Sequence, residues 1–261
     1  MKCKICDSLI TSIFDKAKVL GKYEVAYYQC NRCGFVQTQD PYWLEEAYSN
    51  AIGYNDIGLA SRNLIQLELA RTVIALFFSR REQYLDYGGG YGLFVRLMRD
   101  KGFDFYLHEP NCENLFAKTF DIELPTDLKF HILTAFEVFE HLADPLAEIE
   151  KMLKLSPNIF FSTALLPKSS PRPSQWWYYS LDGGQHVSFY SRASLNYLAD
   201  RLGVRVYSND HSYHLLTNKK ISPNIFALGM RMKISRVINQ FIRQPSLLSR
   251  DYLKVAGRPL E

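Results

Sequence analysis

The chain has no continuous apolar stretch approaching the ~18 residues that a membrane span requires. Met1-Lys2-Cys3-Lys4 is followed by no apolar run of the kind that builds a secretory signal, so the expected location is the cytoplasm. Strong charge of one sign is also missing. Thirty-one Lys and Arg against 27 Asp and Glu leave a net charge of +4, well short of the basic surface of a dedicated nucleic-acid binder. There are no internal repeats and no low-complexity segments. Cysteine is sparse and odd in number, five residues in 261, which speaks against a disulfide framework. A hydrophobic share of 47% and a charged share of 22% are those of an ordinary globular protein, long enough for one large α/β domain and a small module.

Four of the five cysteines form two pairs, Cys3-x-x-Cys6 and Cys30-x-x-Cys33, 23 residues apart. Each pair bends two thiolates toward one point, and four thiolates complete a closed tetrahedral Zn²⁺ shell. Such a shell is structural, because it leaves no open position for a substrate. Residues 1–40 are therefore expected to be a small zinc ribbon stabilised by its metal, since few apolar residues lie there. Asp40-Pro41 ends it, and 41–82 reads as a helical lead-in over a cofactor cleft, with an amphipathic helix over 61–79 whose apolar residues are Leu64, Leu67, Leu69, Val73, Ile74, Leu76 and Phe77.

From Gln83 the pattern alternates strand and helix, the mark of a doubly wound parallel sheet. The apolar run Gln83–Tyr87 enters Gly88-Gly89-Gly90-Tyr91-Gly92 and then a helical pattern. Glycines there let the backbone approach a ligand, and the opening helix offers unpaired N–H groups to it. About 20 residues on, a second strand ends in Glu109, the spacing of a carboxylate that grips ribose hydroxyls. A nucleotide-like cofactor follows. A further strand from Phe130 ends in Phe136, Glu137, Glu140 and His141, at the sheet edge where such folds bind ligands. Residues 118–128 allow only a short strand. The stretch 166–188, rich in proline and rings and ending in Gln185-His186, predicts a wall or lid. The tail, 219–261, is basic and amphipathic over 225–242, which predicts either a packed terminal helix or a peripheral contact with an anionic membrane surface.

These residues resemble class I S-adenosylmethionine-dependent methyltransferases. Asp86-x-Gly88-x-Gly90-x-Gly92 is similar to the family's first motif, Glu109 stands where the family holds the ribose, and the block from Phe136-Glu137 to Pro145 resembles the cleft-lining segment after the fourth strand. The resemblance implies a Rossmann-like sheet of seven strands, the last antiparallel, over 83–218, with Asp86, Gly88, Gly90, Gly92, Glu109, Phe136 and Glu137 on the cofactor. The zinc pairs and Gln185–Ser191 are similar to a bacterial branch that methylates deoxysugars and saccharides, in which a Glu-His pair abstracts a proton; here the pair is Gln185-His186.

The expected reaction is methyl transfer to a small polar acceptor, a sugar or saccharide-linked hydroxyl or carbon. A histidine suits the proton, because its pKa near 6.5 allows uptake close to neutrality. His186 is the expected base and His141 the second, with Tyr54 and Tyr178 orienting the substrate. Two alternatives stand beside this: an RNA or protein methyltransferase docking through the zinc module, and a scaffold that keeps the fold without the chemistry. Nothing in the sequence sets an oligomeric state.

Overall fold

The fold was obtained as a computed structural model, which describes residues 1–49 and 56–260. Three short strands open the chain, β1 (Asp15–Val19), β2 (Tyr23–Gln29) and β3 (Val36–Thr38), followed by one helical turn, α1 (Leu44–Ala47), and a long helix, α2 (Leu59–Phe77). Then come β4 (Gln83–Tyr87), α3 (Leu93–Asp100), β5 (Asp104–His108), β6 (Ile132–Phe136), α4 (Pro145–Leu155) and β7 (Asn158–Ser162). A long connection leads to β8 (Ser188–Phe189), α5 (Arg192–Arg201), β9 (Arg205–Ser208) and β10 (Tyr213–Thr217). Three helices close the chain: α6 (Pro223–Gly229), α7 (Met232–Gln240) and α8 (Leu248–Ala256). No helix among the described residues is long and apolar enough to cross a membrane.

The main sheet has the order β5-β4-β6-β7-β10-β9. Its first four strands are parallel, and β10 runs antiparallel to both of its neighbours. Ile132–Phe136 and Asn158–Ser162 are apolar on both faces because helices cover both sides, as a parallel sheet demands. Helix starts are locally encoded. Asp144 accepts the Ala147 N–H ahead of Pro145 in α4, and Ser191 accepts the Ser194 N–H in α5.

The sheet has six strands among the described residues, where seven were expected. The missing edge strand survives as one parallel bridge between Leu107 and Asp121, flanked by Leu107 N–H to Phe120 O (2.8 Å) and Ile122 N–H to Leu107 O (2.7 Å). The chain beyond it, Glu123-Leu124-Pro125-Thr126-Asp127, lacks alternating apolar residues and carries a proline with no N–H to give the ladder.

A second, antiparallel sheet has the order β1-β2-β3-β8. Its fourth strand is supplied from 150 residues downstream, with Val36 opposite Phe189 and Gln37 opposite Ser188. Cys3, Cys30, Cys33 and Phe35 share one apolar cluster with Phe139, Phe161, Tyr190 and Leu195. The thiol-bearing segment and the main sheet thus have a common core.

Helix α2 spans Leu59–Phe77 and buries Leu67, Leu69, Val73 and Ile74 of the expected stripe, but not all of it. Leu64 and Leu76 are exposed, while Gln66, Arg71 and Thr72 are buried. The cause is α7, which lays a polar seam on α2. Ser235 Oγ and Asn239 Nδ2 both donate to the Glu68 carbonyl, and Thr72 Oγ1 lies 2.6 Å from Ser235 Oγ. The basic tail is therefore packed through α6 and α7 on α2, with Lys233 and Arg236 left exposed.

Candidate active site

Two loops at the carboxyl ends of β4 and β6 build the site. Beyond β4 the backbone turns through Gly88, at φ +70°, and enters α3 at Gly92, at φ +82°. A Cβ on Gly88 would stand 2.7 Å from Val138 Cγ2, so the first loop packs directly on the second. At Gly89 a Cβ would meet Asp86 Oδ2 at 2.1 Å. The sequence motif treats residue 89 as free, yet only glycine fits there; the run of three glycines was the available signal.

Asp86 is buried, and Thr134 Oγ1 donates to its Oδ1 at 2.6 Å. Burial raises its pKa to about 7, against the pull of the Thr134 hydrogen bond, and the Glu109 charge adds to the rise. Glu109 is tied into the loop: Oε2 accepts the Gly90 N–H at 2.9 Å and Oε1 the Asn111 N–H at 2.7 Å. Each oxygen keeps a lone pair, and a cavity lined by His108, Glu109, Asn114 and Asp121 opens beside it. A Cβ-free turn, the start of a helix and an aimed carboxylate fit a ribose-bearing cofactor.

The β6 loop begins with Phe136, whose ring meets Phe94 and Phe160 edge-on at 5.1 and 5.4 Å. Glu137 has φ +54°, a left-handed conformation that a non-glycine residue keeps only when its neighbours enforce it. Ser162 does so, accepting the Glu137 N–H at 2.8 Å and donating to its Oε1 at 2.5 Å.

A short helical turn, Phe139–His141, then carries Glu140 and His141 inward. Glu140 is fully buried, and neither carboxylate oxygen has a hydrogen-bond partner among the described residues. His186 comes from the long loop before β8; its ring lies edge-on to that of His141, with centroids 4.9 Å apart. His186 Nδ1 is 2.6 Å from the Tyr178 carbonyl. A carbonyl only accepts, so Nδ1 carries the proton and the lone pair sits on Nε2. His141 Nδ1 is 3.0 Å from Tyr48 Oη. Burial lowers His186 to about 4, with the Tyr178 carbonyl pulling upward, and holds His141 well below its ordinary value. It raises Glu140 well above the carboxylate range, and the Glu137 charge adds to this. The pKa near 6.5 that favoured His186 in the sequence does not survive its surroundings; the imidazole stays neutral at neutral pH.

The structure brings together His141 and His186, and it adds Glu140, which the sequence placed at the sheet edge without a role, and Tyr48, which the sequence did not point to. Glu140 had a signal, its place beside His141; Tyr48 had none, being 93 residues from its partner. Tyr178 is packed, with Oη 3.1 Å from Thr163 Oγ1. Tyr54 lies outside the described residues. The loop 166–188 is held down, not loose: Trp43 Nε1 donates to the Gly184 carbonyl and Gln185 Nε2 to the Ala47 carbonyl, at 2.8 and 2.9 Å.

At the other end, the sulfurs pair as Cys3–Cys33 at 3.6 Å and Cys6–Cys30 at 3.5 Å. A ZnS₄ tetrahedron with bonds of about 2.3 Å has edges of about 3.8 Å, so the four thiols fit a zinc ion.

Residues 62–209 match the family model described as a methyltransferase domain. No curated protein matches the chain. Among solved structures, the plantazolicin methyltransferase BpumL, complexed with a monoazolic desmethyl analogue and SAH, is similar at 11% identity and TM-score 0.51, over 77% of this chain and 88% of that one. A chain in the complex of the Haloferax volcanii Trm112 methyltransferase activator with its partner protein matches at 15% identity and TM-score 0.50, over 67% and 98%. CalO1, a methyltransferase in calicheamicin biosynthesis, aligns at 16% identity and TM-score 0.48 over 69% of this chain, which spans 60% of the CalO1 chain. With more than half of its length inside the family model and the glycine loop, Glu109 and sheet order in place, the chain belongs to the methyltransferase-domain family, as an S-adenosylmethionine-dependent enzyme.

Proposed function

We infer that the protein methylates a small polar acceptor, a saccharide-type hydroxyl or carbon, in the cleft between the β4 and β6 loops. The observation that carries this reading is the cluster of buried Glu140 with half-buried His141 and His186, Glu140 lying two residues beyond the Val138 that packs on the cofactor loop. The saccharide assignment follows the resemblance of the cysteine pairs and of Gln185–Ser191. BpumL, a plantazolicin methyltransferase complexed with a monoazolic desmethyl analogue and SAH, shares the fold.

Bound S-adenosylmethionine supplies an electrophilic methyl group on its sulfonium. The chain does the rest. Glu109 takes the ribose, the glycine loop and the start of α3 seat the amino acid part, and Phe136 and Glu137 line the cleft. The acceptor must be held in line with the methyl and relieved of its proton. The cluster manages that proton, with the Nε2 lone pair of His186 as the available acceptor. Zn²⁺ on Cys3, Cys6, Cys30 and Cys33 is structural.

Calorimetric titration with S-adenosylmethionine tests the cofactor site. Gly88→Ala forces a Cβ into Val138 and a left-handed strain of about 1–2 kcal/mol, so binding is expected to weaken about tenfold. Wild-type affinity in that variant refutes the loop assignment. His186→Ala is expected to reduce turnover by about 10²–10⁴-fold with cofactor affinity kept. Full activity would remove the histidine from the mechanism.

A further inference from the structure

We propose that Glu140, His141 and His186 form a divalent-cation site beside the cofactor loop, taking a first-row transition ion such as Mn²⁺, Fe²⁺, Co²⁺ or Zn²⁺. One carboxylate oxygen and one nitrogen from each imidazole all lie within 4.8 Å of one another. Metal–ligand bonds to nitrogen and oxygen are about 2.0–2.2 Å, so a small inward turn of the side chains closes the site.

Three features argue for a cation here over an ordinary polar core. First, both imidazoles have the outer support of metal ligands. Tyr178 O holds Nδ1–H of His186 and Tyr48 Oη meets Nδ1 of His141, which orients each ring and leaves its Nε2. Second, Glu140 is 0% exposed and neither oxygen has a hydrogen-bond partner within 3.5 Å among the described residues, although the Tyr178 and Thr163 hydroxyls pull its pKa down, so a cation would supply the partner this carboxylate lacks. Third, the two rings meet edge-on at 74° and do not stack, with one nitrogen of each within 4.8 Å of the other and of a Glu140 oxygen.

Two imidazoles and a carboxylate select first-row transition ions over Ca²⁺ and Mg²⁺, which take oxygen sets. The donor set also differs from the four thiolates at the N-terminus, so the two sites sort metals separately. Three protein ligands leave positions open for water or an acceptor's oxygen. This deepens the functional reading and rests on it only for what the cation does. An acceptor hydroxyl on the ion would be acidified and release its proton to water; with the ion bound, Nε2 of His186 is a ligand, and this route replaces direct proton uptake by His186.

The test uses the full chain, freed of exchangeable metal and titrated with Mn²⁺ alone under electron paramagnetic resonance. Mn²⁺ is too hard for the four-thiolate site. The expected result is one Mn²⁺ per chain with spin-echo modulation from imidazole nitrogen. Affinity should fall by more than about tenfold in Glu140→Gln and by about tenfold in Tyr48→Phe, which removes only the hydroxyl on His141. The nitrogen signal is read on the unaltered protein, so a misfolded variant does not shield the proposal. No bound Mn²⁺, or Mn²⁺ bound without nitrogen modulation, overturns it, as does unchanged affinity in folded Glu140→Gln. Titration of the same samples with S-adenosylmethionine separates the two readings. Cofactor binding by a chain that takes no Mn²⁺ rejects the cation alone. A chain that takes Mn²⁺ but no cofactor keeps the cation site and loses the methyltransferase reading.

Discussion

Replacing Cys33 with serine is expected to unfold the whole molecule, not just its first forty residues. With zinc on the four thiols, loss of one ligand forfeits much of a binding free energy of about 10–16 kcal/mol. That is comparable to the roughly 5–15 kcal/mol by which a native protein is stable at all. The damage spreads because the thiol segment is welded to the main domain. Ser191 Oγ, which caps α5, donates to the Cys33 carbonyl at 2.6 Å. The strand after Cys33 pairs with β8, and three of the thiols belong to the cluster that includes Phe161 of β7 and Leu195 of α5. Near-UV circular dichroism should show the tertiary signal lost, and metal analysis one zinc equivalent fewer per chain. A native spectrum with a melting temperature near that of the parent would show the thiols to be dispensable.

Asp251→Ala is expected to destabilise the protein by about 3 kcal/mol, the low end for breaking a buried ion pair. Arg99 and Asp251 are 1% and 3% exposed and meet in a fork, Nε to Oδ2 and Nη2 to Oδ1, both at 2.7 Å. Arg96 Nη2 adds a third contact at 2.9 Å. Without Asp251 the Arg99 guanidinium, which lies 3.7 Å over the Phe120 ring, keeps only Asp104 and the Phe105 carbonyl. The melting temperature should fall by roughly 6–12 °C. Arg99→Met combined with Asp251→Ala should recover part of the loss, because the stranded charge is gone. Burial alone would raise the Asp251 carboxyl, but the two arginines outweigh it and hold the group below its ordinary value. Its contribution is therefore present above the unfolded carboxylate value of about 4 and lost as pH falls through the lower folded value. An unchanged melting temperature in Asp251→Ala would show α8 to be a loose appendage.

The tail shows where sequence reasoning reached its limit. Its basic, amphipathic pattern was legible, and so was the choice between packing and a membrane surface. What anchors it is one of its few acids, and that acid finds a partner 152 residues away. The edge of the sheet is similar. A short strand over 118–128 was readable only weakly, and it amounts to a single bridge at Asp121, cut short by Pro125 and the lack of apolar alternation beyond it. In α2, apolar periodicity found Leu67, Leu69, Val73 and Ile74 but missed Thr72, which is buried because it meets Ser235 of α7.

The thiol pairs, the glycine turn and the acid at the next strand end could be read directly from the chain. In each, the chemistry lies within a few residues or one strand–helix repeat, and backbone geometry over so short a span leaves few arrangements. The cluster of Glu140, His141, His186 and Tyr48 could not be read that way. Its members come from a helical turn, a loop and a lead-in segment far apart along the chain. Only the docking of those segments, through Trp43, Gln185 and the β3–β8 pairing, brings the side chains to one point and strips them of water. The same docking sets their protonation, because burial, a property of the assembled fold, moves both histidines and the carboxyl from their ordinary values.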